Sequence, residues 1–393
     1  MARGRGGFIG QDGLNAPDSP TSVSGSVGDQ SVTVSFTAPT DVGGSAITGF
    51  VATSNDGIGA AGSSSPITVT GLTNGTSYTF SVWAINALGY SSPSSPSSGL
   101  TPAAQYAYIA GYSSANRERI SLMSAGNSAN FGTFADDAVT YNGGTSSNTR
   151  GIVGGSSRTS NDYQYWTLAS TGVSQVFGNA YQSGNSRMTG NNTRALNIAA
   201  VTDDSTIEYL TIASTGNGTD FGDVTVARGY HATASSTTRS LIMGGWPNNG
   251  VFNTVDYVTI ASTGNATDFG DLAQNHAFFG GCADGTRAVT SGGLQNAGPT
   301  TYINNMDYCT IASTGNFSDF GDATQTSRSW RGAAGTTRGL FMGSDAGSGS
   351  WDTNKIDSIT IQSTGNATDY GDLVKTGGTR FGAMSDSTVA VQP

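Results

Sequence analysis

The sequence predicts an all-β protein, a small β-sandwich followed by a β-propeller that counts as six blades. Three observations predict it. The 393 residues include 57 glycines and only 11% charged side chains, which leaves little material for solvent-facing helices. Runs rich in Val, Ile, Thr, Tyr and Phe are divided by Gly, Asn, Asp and Ser clusters, as short strands and tight turns require. One stretch of text, "YVTIASTGNATDFGDL" at Tyr257–Leu272, also recurs with small changes through the second half of the chain.

Residues 1–16 open with "MARGRGGFIGQDG", glycine-rich and too polar to fold alone. Arg3 and Arg5 are the only basic concentration, and with Phe8 and Ile9 they make this segment a candidate anchor into a neighbouring subunit. A tail without fixed structure is the alternative. The segment lacks the long apolar run of a secretory signal.

Residues 17–102 carry strand signals at Ser31–Pro39, Ala46–Ser54, Ser65–Leu72 and Ser77–Gly89, several with the alternation of half-buried sandwich strands. In "GLTNGTSYTFSVWAINALGYSSPS", Leu72 is followed six residues later by Tyr78. The alternating Phe80, Val82 and Ala84 come next, then Asn86 and Gly89. This pattern resembles a fibronectin type III domain. The resemblance implies that the Tyr78 hydroxyl bonds back to nearby backbone, that Phe36 stands where the family usually has tryptophan, and that the module is a spacer or adhesion unit without catalytic role. The run "SSPSSPSSGLTP" at Ser91–Pro102 reads as a short hinge.

Residues 103–393 repeat. The turn glycine falls at Gly126, Gly172, Gly216, Gly264, Gly315 and Gly365, intervals of 44 to 51 residues that suit four-stranded propeller blades. A second element, "TR" followed by an apolar run, recurs at Thr149, Thr193, Thr238, Thr286 and Thr337. One blade therefore reads as a small-residue inner strand, a "TR" strand ending in glycines, a variable loop, a "YVTIAS" strand, an "STGN" turn and a "DFGDL" outer strand. That order resembles the kelch repeat, with Phe or Tyr where kelch has tryptophan. The chain enters the repeats at "QYAYIAGY" without an inner strand, and "TRFGAMSDSTVAVQP" at its end is placed to supply one. A seventh, partial blade is the alternative.

The repeated text is a poor place for chemistry. "DFG" occurs three times without the glycine-rich loop, strand lysine and catalytic loop that a kinase requires. The aspartates flanking it offer too few oxygens for a hard cation, although calcium remains an alternative to solvated turns. The "TR" arginines, Arg150, Arg194, Arg239, Arg287 and Arg338, suit ties between blades better than an anion-lined channel. His231 and His276 read as structural histidines, and Cys282 and Cys309, without CxxC spacing, as buried free thiols. No catalytic residue, metal or cofactor is expected.

The variable loops hold the candidate contacts. Trp246, Tyr302 and Trp351, flat aromatics in the text that does not repeat, are the candidate ligand or partner residues, with buried packing as the alternative for each. A formal charge of −10 and a pI near 4.5 argue against nucleic acid as partner. No stretch approaches the roughly 20 apolar residues of a membrane span.

The combination of modules resembles bacteriophage virion proteins of the tail or fibre-associated kind. The resemblance implies a non-enzymatic structural protein made in the host cytoplasm and carried on the virion, often in several copies. Its expected partners are other virion subunits, tail or capsid, and a host-surface glycan or protein. A secreted or surface carbohydrate-active enzyme or glycan-binding protein is one alternative, and a capsid-decorating protein another.

Overall fold

The computed structural model describes residues 15–110, 116–134, 143–154, 162–180, 186–200, 204–247, 250–297, 300–345, 353–374 and 382–385. They form strands, turns and loops, without a helix among them. The chain divides into two compact units, Met1–Ala104 and Gln105–Pro393.

The first unit has two antiparallel sheets. One contains Thr21–Gly28, Ser31–Thr37 and Ile67–Thr70, and the other Gly59–Gly62, Ile47–Ser54, Phe80–Asn86 and Gly89–Tyr90. Alternation decides which side chains are inside: Val32, Val34 and Phe36 from one strand meet Phe80, Val82 and Ala84 from another in one core. Full burial of Phe80 contributes about 2–3 kcal/mol. Phe36 packs on Phe50 with ring centroids 4.9 Å apart. The Tyr78 hydroxyl accepts the Thr73 N–H at 3.0 Å, which fixes the corner before the Phe80 strand.

The serine and proline run is not the hinge its composition suggested. Ser91, Ser94 and Ser97 are buried and donate their backbone N–H groups to the carbonyls of Ala84, Val82 and Phe80. Each of those three strand amides also donates to the corresponding serine Oγ, at 2.9–3.0 Å. Pro93 and Pro96 lack an N–H, but they sit exposed between the bonding positions, where none is needed. The run thus covers a sheet edge that would otherwise be open for pairing.

The second unit contains six four-stranded antiparallel sheets among the described residues, numbered here by the order of their repeats. Sheets 2 to 6 begin respectively at Gly143, Ser186, Ala232, Gly280 and Arg331 and use four successive strands each, except that in sheet 5 a separate two-stranded hairpin, Gly293–Ala297 with Thr300–Ile303, intervenes between the second and third. Sheet 1 takes Tyr106–Ala110, Asn116–Ser121 and Ala129–Thr133 from the start of the unit and Gly382–Ser385 from its end. The innermost strands lie beside one another in cyclic order, each against the next and Gly382–Ser385 against both Gly143–Ser146 and Arg331–Ala334.

The repeated text works between sheets. At "DFG" the ladder skips a residue: Ile207 pairs with Gly222 and Glu208 with Asp220, so Phe221 occupies a β-bulge. The bulge turns Phe221 into a cluster shared with Val258 and Ile260 of the next sheet. Gly222 is required there, because a Cβ would lie 2.5 Å from the Gly264 carbonyl of the next "STGN" turn. That turn donates its Gly264 N–H to Phe221, and its Asn265 side chain accepts the Asp223 N–H.

The same clasp joins sheet 4 to 5 through Asn316, 5 to 6 through Asn366, and 6 to 1 through Asn127. The "TR" arginines add a second tie, donating to a carbonyl of the following sheet: Arg150 to Ile212, Arg194 to Ile260, Arg239 to Ile311, Arg287 to Ile361 and Arg338 to Leu122, at 2.7–3.1 Å. Sheet 1 has Tyr106 at the arginine's place and uses the Tyr108 hydroxyl instead, donated to Leu168 at 3.1 Å. The arginines therefore serve as ties and not as a channel lining.

Candidate functional site

Three loops bring the chain from the outer strand of one sheet to the inner strand of the next at sheets 4, 5 and 6. At matching points they carry Tyr230, Phe278 and Ser329, all with positive φ, 57°, 59° and 66°. Side chains rarely adopt this conformation without compensation, and it costs on the order of 1 kcal/mol or more at each site. Part of the compensation is a backbone chain. Phe278 N–H donates to Tyr230 at 2.8 Å, and Ser329 N–H donates to Phe278 at 2.5 Å. The left-handed turn aims the amide of one loop at the carbonyl of the previous one.

The side chains of these loops meet the variable loops. Phe278 stacks on Tyr230 with centroids 3.8 Å apart and planes 17° from parallel, and Trp246 presents its edge to Phe278 at 6.0 Å. The Arg328 guanidinium lies 5.3 Å from the Phe278 ring and 5.5 Å from Tyr302, and is held by the buried Asp345 at 2.8 Å. Trp246, Leu294 and Asp345 pair with Gly229, Ala277 and Arg328 in matching isolated bridges, so the residue after Gly244–Gly245, Gly292–Gly293 or Gly343–Ser344 lies beside the loop of its own sheet. Tyr302 belongs to the hairpin Gly293–Ala297 and Thr300–Ile303, the elaborated loop of sheet 5. Tyr230, Trp246, Phe278, Tyr302 and Arg328 are each partly exposed. The result is a continuous aromatic surface with one guanidinium set into it, suited to the flat faces of sugars or of apolar side chains.

Of the residues expected from sequence, Trp246 and Tyr302 come together here, bridged by Phe278 and Arg328. Trp351, and the segment with Arg3, Arg5, Phe8 and Ile9, lie outside the described residues. Sequence reasoning missed Tyr230, Phe278 and Arg328. The available signal was the text leading into each inner strand, "RGYH", "HAFF" and "SRSW", where an aromatic residue stands just before the strand in all three.

The titratable groups beneath this surface are buried and structural in character. His276 is fully buried, edge-on to Phe279 at 5.5 Å, and burial pushes its pKa down to about 4. His231 is held neutral by burial and by the nearby charges of Arg187 and Arg228. Arg228 pairs with Asp256, both fully buried. Cys282 and Cys309 are free and buried in separate clusters, and burial raises both thiols, Cys309 to about 12. Among the described residues no three metal-ligating side chains converge.

Residues 17–100 match the family model of the fibronectin type III domain, which agrees with the Leu72, Tyr78 and Asn86 pattern of the first unit. No curated protein matches the chain.

Proposed function

We propose that the second unit is a six-bladed, kelch-like β-propeller, and that the protein is a non-enzymatic virion component, tail or fibre-associated, which binds a host-surface glycan through the face bearing Tyr230, Trp246, Phe278 and Tyr302. The observation that carries the binding reading is the division of labour along the sequence. The copied segments are consumed by clasps between sheets, whereas the partly exposed aromatics stand in the loops that are not copied. The cyclic order of the six innermost strands favours the propeller, and the low charge content and modular layout favour the virion.

A glycan array probed with the purified chain tests the binding face. Binding is expected, and Trp246→Ala with Tyr302→Ala is expected to weaken it at least ~10-fold while the melting temperature changes little, since a hot-spot aromatic costs about 2 kcal/mol or more when truncated. Unchanged binding in the double variant would refute the face. Hydrolysis of any bound glycan would replace this reading by a carbohydrate-active enzyme. Mass spectrometry and immunogold labelling of purified particles test the location: absence from particles refutes the virion role, and labelling spread over the head assigns capsid decoration instead.

A further inference from the structure

The three loops that carry Tyr230, Phe278 and Arg328, and the segments that follow the glycines of sheets 4 to 6, are poor in charge for a chain of formal charge −10. Among their described residues, 224–231, 245–247, 250–253, 272–279, 292–297, 300–304, 323–330 and 344–345, the side chains charged at neutral pH are Arg228, Arg328 and Asp345, since burial holds His231 and His276 neutral. Each cation has its own buried carboxylate. Arg228 pairs with Asp256, and Arg328 donates from Nε and Nη2 to Asp345 Oδ2 at 2.9 and 2.8 Å. The described part of this face is therefore neutral pair by pair.

The polar groups set around the aromatics are amides and hydroxyls. Leu294 pairs with Tyr302 on one side and Ala277 on the other, which places Tyr302 beside the Phe278 loop. Gln295 Nε2 donates to Gln274 Oε1 at 2.8 Å across the same junction. At the next sheet Gln325 Nε2 donates to the hydroxyl of Ser344, the residue before Asp345, at 3.0 Å. All three glutamines are partly exposed, and an amide carries both donors and an acceptor, as sugar hydroxyls require of a partner. Arg328 joins this set as a donor rather than as a spare charge. Its side chain is 21% exposed, and that of Asp345 0%. A ligand carboxylate or sulfate that took over its bonded N–H groups would deprive the buried Asp345 of its guanidinium, and separating a buried pair is strongly unfavourable. One that settled beside the pair would face Asp345 with the cation already neutralised.

We propose, resting on the reading of this face as a glycan site, that its ligand is a neutral hexopyranose, selected over sialylated, uronic and sulfated sugars. The apolar C–H face of the sugar ring lies against the aromatics, and its hydroxyls meet the glutamine amides and the Arg328 guanidinium. The selectivity comes from Asp345, which cancels the partly exposed cation of these loops.

An array that prints neutral oligosaccharides beside their sialylated, uronic and sulfated counterparts tests the proposal on the full chain, with calorimetry on the best-bound pair. The neutral member is expected to bind at least ~10-fold more tightly, with an affinity that shifts less than about 2-fold between low and high sodium chloride. Acidic members bound equally well or better overturn the proposal and leave the glycan reading standing. Binding to no member of the array refutes that reading, and this proposal with it. Asp345→Asn keeps the side-chain shape and uncovers the Arg328 charge, so it is expected to raise affinity for the acidic member at least ~5-fold. A folded variant without that gain sinks the role given to Asp345; if the variant does not fold, the wild-type preference between neutral and acidic members decides alone.

Discussion

At the scale of single residues, the third strand of several sheets carries a buried carboxylate whose treatment differs from sheet to sheet. Asp256 accepts the Thr225 N–H and hydroxyl, and Asp357 receives the same two bonds from Thr324. At the matching place sheet 5 has Ala273, which supplies its N–H but no hydroxyl, and Asp307 Oδ2 is left without a partner. Burial then raises the Asp307 pKa to about 6. The folded state holds this proton more tightly than the unfolded chain does. Its contribution therefore favours folding below pH ~4, falls as pH rises from ~4 to ~6, and above that costs up to about 3 kcal/mol.

Asp307→Asn is expected to remove this falling limb from a plot of unfolding free energy against pH, measured by denaturant titration. Ala273→Thr is expected to restore the hydroxyl and stabilise the unit by about 1 kcal/mol at pH 7. His276 acts in the opposite sense. Its lowered pKa means that stability present above pH ~6.5 is lost as pH falls towards about 4. The ties between sheets are single residues too. Arg239 donates to Ile311 at 2.8 Å and lies 4.3 Å from the Tyr257 ring, so Arg239→Met should cost about 2 kcal/mol, read as a lower melting temperature.

At the scale of elements, the segment that covers a sheet edge of the first unit shows how far composition and structure can diverge. The run from Ser91 to Ser97 has the composition of a linker, yet three of its residues advance for every two of the strand it covers, and every third residue, a serine, supplies both backbone and hydroxyl bonds. Ser94→Ala removes the acceptor for the buried Val82 amide and should destabilise the first unit by about 1 kcal/mol, with the transition of the second unit unmoved in the same calorimetric scan. The "STGN" and "DFG" elements were legible as strand, turn and strand from their glycines and alternating apolar residues. Their bonding to a neighbour rather than to their own sheet was not legible, because a clasp is a contact between residues far apart in the chain, 38 positions for Asn179 with Asn217 and 245 for Asp372 with Asn127.

At the scale of the whole second unit, cyclic order depends on one strand. Gly382–Ser385 pairs with Tyr106–Ala110 in register from Gly382 opposite Ala110 to Ser385 opposite Ala107, which joins the end of the unit to its beginning. A chain ending at Val374 leaves Tyr106–Ala110 with a bare edge. Its expected behaviour is aggregation on size-exclusion chromatography and loss of the cooperative transition of the second unit, while the first unit, whose core is its own, melts as before. Retention of a sharp second transition would show that the closing strand is dispensable.

What the sequence determined by itself was local and periodic: an all-β chain, the core alternation of Val32, Val34 and Phe36, and the interval at which turn glycines recur. These follow from steric rules that act within a few residues and from direct repetition. Tertiary structure alone decided that the "TR" arginines act as ties to the following sheet. It also brought Trp246, Phe278 and Tyr302 onto one surface and seated Ser91, Ser94 and Ser97 on a sheet edge. Each of those outcomes depends on where distant segments lie relative to one another. A single arginine or serine carries the same letter in either setting, and only its neighbours in space fix whether it meets a carbonyl or water.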